Sequence, residues 1–194
     1  MDNLIPENVK KLEDMTLEEL WELFPVTLVP HNRDWLVWAK EEIAYLGNIL
    51  ANYSPLISHI GSTAIPGIYA KPIVDILVEV SPETNMLKIK ETLKTNGYIC
   101  MSESERRLSF NKGYTHAGYA EKVFHIHLHL SGDNDELLFK EYLLKHPELA
   151  KEYEKMKLSL LPRFRNNRDA YTHSKSPFIQ NILRLARMIK GGNC

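Results

Sequence analysis

Asp75 interrupts an apolar run, Pro72-Ile-Val-Asp-Ile-Leu-Val-Glu-Val80. A carboxylate in a buried strand is costly to desolvate and needs a cation, a metal or hydrogen-bond donors beside it. A polar turn, Gly61-Ser62-Thr63, precedes it. Glycine lets backbone N–H groups approach a phosphate closely, and the hydroxyls add donors. A carboxylate near such a turn suits Mg²⁺, which binds through one or two carboxylates plus substrate phosphates. Taken alone, the Gly-Ser pair is a weak signal and more often a plain turn.

The second group is Val123-Phe-His-Ile-His-Leu-His-Leu130, where His125, His127 and His129 alternate with apolar residues. In a strand all three imidazoles share one face. Imidazole serves as metal ligand, general base or nucleophile. Cations form the third group: Lys71 just before the Asp75 strand, then Arg106, Arg107 and Lys112. Arginine suits bidentate phosphate binding, and lysine acts as a point charge. Late in the chain, Tyr171, Lys175 and Phe178 are placed where a base and a phosphate could meet them, although ordinary packing accounts for each singly.

These groups need scaffolding, and the periodicities supply it. Alternation predicts strands at 56–60, 72–80, 98–100, 108–112 and 123–130, with 113–120 as a loop. On the 72–80 strand Val74, Ile76, Val78 and Val80 form the core face, and Ile73, Asp75, Leu77 and Glu79 the other. Val26 to Pro30 reads as a short edge strand. Thr16 with Glu19 is a capping-box pattern opening a helix that ends near Phe24. Further helices are expected at 34–53, 83–96, 135–145, 147–161 and 176–190. The order predicts an α+β (mixed α/β) fold, a sheet flanked by helices with a helical C-terminal section at 135–190. At 194 residues the chain reads as one domain, with residues 1–24 as an N-terminal helical extension.

Composition excludes several classes. No window reaches the roughly 20 apolar residues of a membrane span. The start, Met1 to Lys11, has no apolar signal core, so a cytoplasmic location is expected. Cys100 and Cys194 have no metal-type spacing. From Lys151 onward there are ten Lys or Arg against three Asp or Glu, in a chain whose net charge is −1. This basic section suits phosphates or a solvated helical face. It lacks the aromatic interleaving of a stacking platform, so nucleic acid is not an expected partner.

Together, His59-Ile-Gly-Ser-Thr-Ala-Ile-Pro-Gly67 and Ala70-Lys-Pro-Ile-Val-Asp-Ile76 resemble the GrpB family of the nucleotidyltransferase superfamily. Pro30-His-Asn-Arg-Asp-Trp35, His127 to Leu130, Phe139 to Pro147 and Ala170 to Lys175 extend the likeness over about Leu20 to Ile189. The resemblance implies a mixed sheet flanked by helices and a phosphate-gripping turn at Gly61 and Ser62. It also implies a pair of carboxylates two residues apart holding two Mg²⁺ ions. Here Asp75 fills the first position and Leu77 the second, and Glu79 lies about 13 Å further along the strand.

The expectation is a metal-dependent nucleotidyltransferase moving a nucleotidyl group from a nucleoside triphosphate to an unknown acceptor. Gly61, Ser62, Thr63, Lys71, Arg107 and Lys112 would hold the nucleotide. Asp75, His127 and His129 would hold Mg²⁺ or Mn²⁺, or Zn²⁺ given the imidazoles, with Asp75 and His127 catalytic. One alternative is a non-catalytic nucleotide- or metal-binding module acting through a partner. Another follows from the likeness of His125 to Leu130 to the histidine-triad hydrolases, in which a histidine attacks an α-phosphate.

Overall fold

The sheet that carries Asp75 is built from five strands: β1 (Leu56–Ile60), β2 (Val74–Val80), β3 (Ile99–Glu103), β4 (Arg107–Thr115) and β5 (Gly118–Leu130). Their order is β1-β2-β5-β4-β3 in the computed structural model, which describes residues 10 and 12–191. The readings made for Met1 to Lys11, Lys10 apart, and for Cys194 fall outside that range. β2 and β5 pair in parallel at the centre, and the remaining neighbours are antiparallel. The expected mixed α+β architecture is what the chain adopts.

The two faces of β2 part as alternation requires. Val74, Ile76, Val78 and Val80 join Ile126, Leu128, Leu108 and Phe110 in one core. Two helices cover that core: α2 (Asp34–Ile49) through Trp35, Ala39 and Leu46, and α3 (Met86–Thr95) through Ile89 and Leu93. Each buried Leu, Ile, Val or Phe side chain there stabilises the fold by roughly 1.5–3 kcal/mol. The opposite face carries Asp75 and the histidines. Beyond it lie α4 (Asp135–Lys145), α5 (Pro147–Phe164), α6 (Arg168–Ser174) and α7 (Ser176–Gly191). These helices share a second core of Phe139, Leu143, Tyr153, Ile182 and Leu183 with Ile65 and Ile68. The cleft between the polar sheet face and this helical layer is where the chemistry can sit.

The capping box of α1 (Leu17–Leu23) forms as Thr16 and Glu19 predict. Four expectations change. The Val26–Pro30 strand reduces to one bridge, Val29 to Ala70. The expected 113–120 loop is mostly strand, because β4 and β5 form a hairpin whose irregularity at Gly113 is absorbed by a register shift. A Cβ at Gly113 would collide with the Lys122 carbonyl, so the hairpin tolerates only glycine there. The stretch between the helices expected at 147–161 and 176–190 holds a further helix, α6, capped by the Asn167 side chain accepting from the Ala170 N–H at 3.0 Å. Finally, α5 runs on to Phe164 with Pro162 in its last turn. Among the described residues no helix is long and apolar enough to cross a membrane.

Candidate functional site

Gly61 ends β1 and places the turn against Asp75. Its φ of 71° and ψ of −171° lie in a region that only glycine enters readily. A Cβ there would overlap the Asp75 carboxylate and sit 3.0 Å from its Cβ. The bare backbone is therefore what lets the turn and the acid meet.

Parallel pairing places Asp75 opposite His125, Leu77 opposite His127 and Glu79 opposite His129. Asp75 Oδ1 lies 3.3 Å from His125 Nδ1 and 3.4 Å from His127 Nε2. One donor atom from each of the three residues falls within 4.8 Å of the others. Burial raises the Asp75 carboxyl pKa, but hydrogen bonds from His125 and His127 more than offset this and hold it well below the usual carboxylate range.

Around this centre is a cavity of about 520 Å³. Lys71, Lys157, Arg168 and Lys175 line it, together with Ser62 and Tyr171. Lys157 Nζ donates to Ser62 Oγ at 3.0 Å and to the Tyr69 carbonyl. Arg168 donates to the Tyr114 hydroxyl and lies 3.1 Å from His125 Nε2. Among the described residues none of these four cations forms an ion pair with a carboxylate. Burial, reinforced by the neighbouring cations, lowers Lys71 and Lys157 each to about 7 and also lowers Lys175. Four cations facing the half-buried Asp75, with Asp135 and Glu136 on the lining tied to Arg187 and Arg107, make a site for a polyanion.

The predicted residues divide. Gly61, Ser62, Lys71, Asp75 and His127 come together here. Thr63 is buried and its hydroxyl is paired with His59 Nε2 at 2.9 Å, outside the cavity lining. Arg107 reaches the rim, but its guanidinium is held by Asp133 and lies 3.5 Å from Glu136, so its charge is largely matched. His129 sits too far along β5, where its Nδ1–H donates to the Asp133 carbonyl at 2.7 Å. His125 takes the place beside Asp75 that the sequence reading gave to His129. Glu79 is buried and accepts from Asn134 at 3.2 Å.

Lys112 lies on the other face of the sheet, opposite Phe124. There it pairs with the buried Glu42 at 2.7 Å and stands 4.7 Å from the Tyr98 ring centre, while the Tyr98 hydroxyl also donates to Glu42. Lys112→Met is expected to leave nucleotide binding unchanged and to lower stability by roughly 1–3 kcal/mol, since Lys112 itself stays partly exposed. Denaturant unfolding and nucleotide titration of one preparation check both halves.

Lys157 and Arg168 are the contributors that sequence reading missed. The excess of cations after Lys151 was their only signal.

Residues 25–185 match the GrpB protein family. The chain belongs to the GrpB family. It is 35% identical to the glutamate-rich protein GrpB of Alkalihalophilus pseudofirmus, over 81% of this chain and 94% of that one. It is 30% identical to the UPF0157 protein YqkA of Bacillus subtilis over 96% of its own length, and spans 55% of that relative. The crystal structure of GrpB from Enterococcus faecalis superposes with a TM-score of 0.70 at 28% identity, covering 82% of this chain and 96% of that one. A Cid1 poly(U) polymerase structure aligns at a TM-score of 0.47 and 12% identity, over 73% of this chain and 44% of that one, a likeness too slight to bear on function. In this GrpB-family chain the motif from His59 to Ile76 forms the turn, the Asp75 strand and the Lys71 approach described above.

Proposed function

We propose that this GrpB-family protein binds a nucleoside triphosphate in the cleft and transfers its nucleotidyl group to an acceptor. One observation carries the reading: the Asp75 carboxylate meets a Gly-Ser turn inside a cavity lined by Lys71, Lys157, Arg168 and Lys175. Ser62 and Lys157 hold the phosphate end, and Lys71, Lys175 and Arg168 balance its charge and that of the departing pyrophosphate. The donor set fits one divalent ion on Asp75 and His127, completed by phosphate oxygens. It does not fit the two-ion arrangement of the superfamily, because Leu77 stands in the second carboxylate position and Glu79 is bound to Asn134. When bound, such an ion neutralises phosphate charge and makes an attacking hydroxyl more acidic.

Calorimetric titration of each nucleoside triphosphate, with and without Mg²⁺ or Mn²⁺, tests the reading. Binding strengthened by metal supports it, and no binding under any condition overturns it. The missing second carboxylate favours a second reading, binding without turnover. Pyrophosphate release in the presence of candidate acceptors separates the two.

The depressed lysines give the binding a pH signature. Lys71 and Lys157 are largely neutral in the free protein above about pH 7. A phosphate beside them restores their protons. Binding at pH 8 should therefore take up protons, and affinity should fall by up to roughly tenfold per coupled proton for each pH unit between 7 and 9. The unliganded protein behaves oppositely. Between about 7 and the ordinary 10.5 the unfolded chain binds more protons than the folded one, so this contribution to stability rises with pH. Calorimetry in buffers of different ionisation enthalpy measures the uptake, and Lys157→Met should reduce both trends.

A further inference from the structure

Arg168 reaches the metal-binding group from behind. Guanidinium nitrogens only donate hydrogen bonds. Arg168 lies 3.1 Å from His125 Nε2 and donates to the Tyr114 oxygen, and that hydroxyl is itself 2.8 Å from Nε2. Tyr114 accepts from Arg168 and has the Tyr119 hydroxyl as a further partner for its own proton. Arg168 thus presents a proton to Nε2, which must offer its lone pair. The imidazole proton then resides on Nδ1, the nitrogen 3.3 Å from Asp75 Oδ1. This tautomer is assigned from the surrounding donors.

We infer that Arg168 is a positioning residue that sets metal selectivity. It locks His125 as a hydrogen-bond donor to Asp75 and so withholds His125 from metal coordination. Without that lock Asp75, His125 and His127 would form a three-donor set suited to Zn²⁺ or Ni²⁺. With it, only Asp75 and His127 remain, and the ion must be completed by the oxygens of an incoming phosphate. The cation ring thereby couples metal loading to nucleotide loading. The inference rests on the reading of Asp75 as a metal ligand.

The test has two parts. ¹⁵N NMR of the unliganded wild-type protein identifies the nitrogen of His125 that bears the proton. A proton on Nδ1 is expected, and a proton on Nε2 alone overturns the inference without any variant. Zn²⁺ alone is then titrated against a chromophoric chelator into wild type, Arg168→Met, Arg168→Lys and Lys175→Met. Arg168→Met should bind Zn²⁺ tighter by roughly 10–100-fold, the usual scale of outer-sphere control over a metal site. Arg168→Lys, which still only donates, should stay near wild type. Lys175→Met removes a charge without touching His125 and should gain well under tenfold. Equal gains in Arg168→Met and Lys175→Met would reduce the effect to charge and overturn the inference, as would no gain in Arg168→Met. Nucleotide does not enter either measurement, so a failure of nucleotide binding would be seen separately, in the calorimetry.

Discussion

Asp75→Asn is expected to act in opposite directions on two ligands. The amide keeps an oxygen to accept from His125 but carries no charge for a metal. Metal-dependent strengthening of nucleotide binding should therefore vanish, and any nucleotidyl transfer with it. Binding of inorganic tripolyphosphate without metal should improve, by roughly tenfold, because the carboxylate beside the turn is gone while Asp135 and Glu136 on the lining stay paired with Arg187 and Arg107. Few structural perturbations would weaken one ligand and tighten the other. Calorimetry of wild type and variant with each ligand, with and without Mn²⁺, checks both. Unchanged metal dependence would remove Asp75 from the site.

Gly61→Ala carries the second large effect. The residue sits at φ 71°, ψ −171°, where a side chain is strained, and the new methyl would overlap the Asp75 carboxylate. Strain and overpacking together should lower stability by roughly 2–4 kcal/mol. Whatever relaxation relieves the overlap must move the turn away from Asp75. Nucleotide affinity should therefore fall even in conditions where the variant stays folded. Gly67 offers a control that also has a positive φ, 78°, but where a Cβ would meet no atom within 4 Å. Gly67→Ala should show the strain without the overlap, and should leave nucleotide binding close to wild type. Urea midpoints and nucleotide titrations of the two variants make the comparison.

The parts of this molecule that were legible in the sequence are those set by local periodicity. β2 could be read because its two faces differ residue by residue, and Asp75 could be found because it breaks the apolar pattern on the side of the strand nearest the Gly61-Ser62 turn. α1 was marked by the Thr16–Glu19 pair. Register was not legible. A two-residue spacing places three histidines on one face, but only the pairing of Asp75 with His125 decides which of them reach the carboxylate. His129, four register pairs further on, turns to the Asp133 carbonyl instead.

Lys112 was grouped with the phosphate-holding cations, but its partner Glu42, seventy positions away in sequence, holds it on the opposite face. Lys157 reads as one more cation on an amphipathic helix, yet it is buried against Ser62. Arg168 stands between the helices expected at 147–161 and 176–190, where no element was predicted. Asn167 instead caps α6, and the arginine faces β5 across the cleft. Sites assembled from helices and strands far apart in the chain leave no spacing to read.

The most direct test of the account is a crystal structure of the protein with Mn²⁺ and a non-hydrolysable nucleoside triphosphate, using the anomalous signal of manganese. The account predicts a single manganese peak bonded to Asp75, with phosphate oxygens beside it and the phosphate chain running past Ser62 toward Lys157 and Lys175. The same peak should be absent from crystals given Mn²⁺ alone. A nucleotide bound elsewhere, or manganese held by Asp75, His125 and His127 without nucleotide, would contradict it.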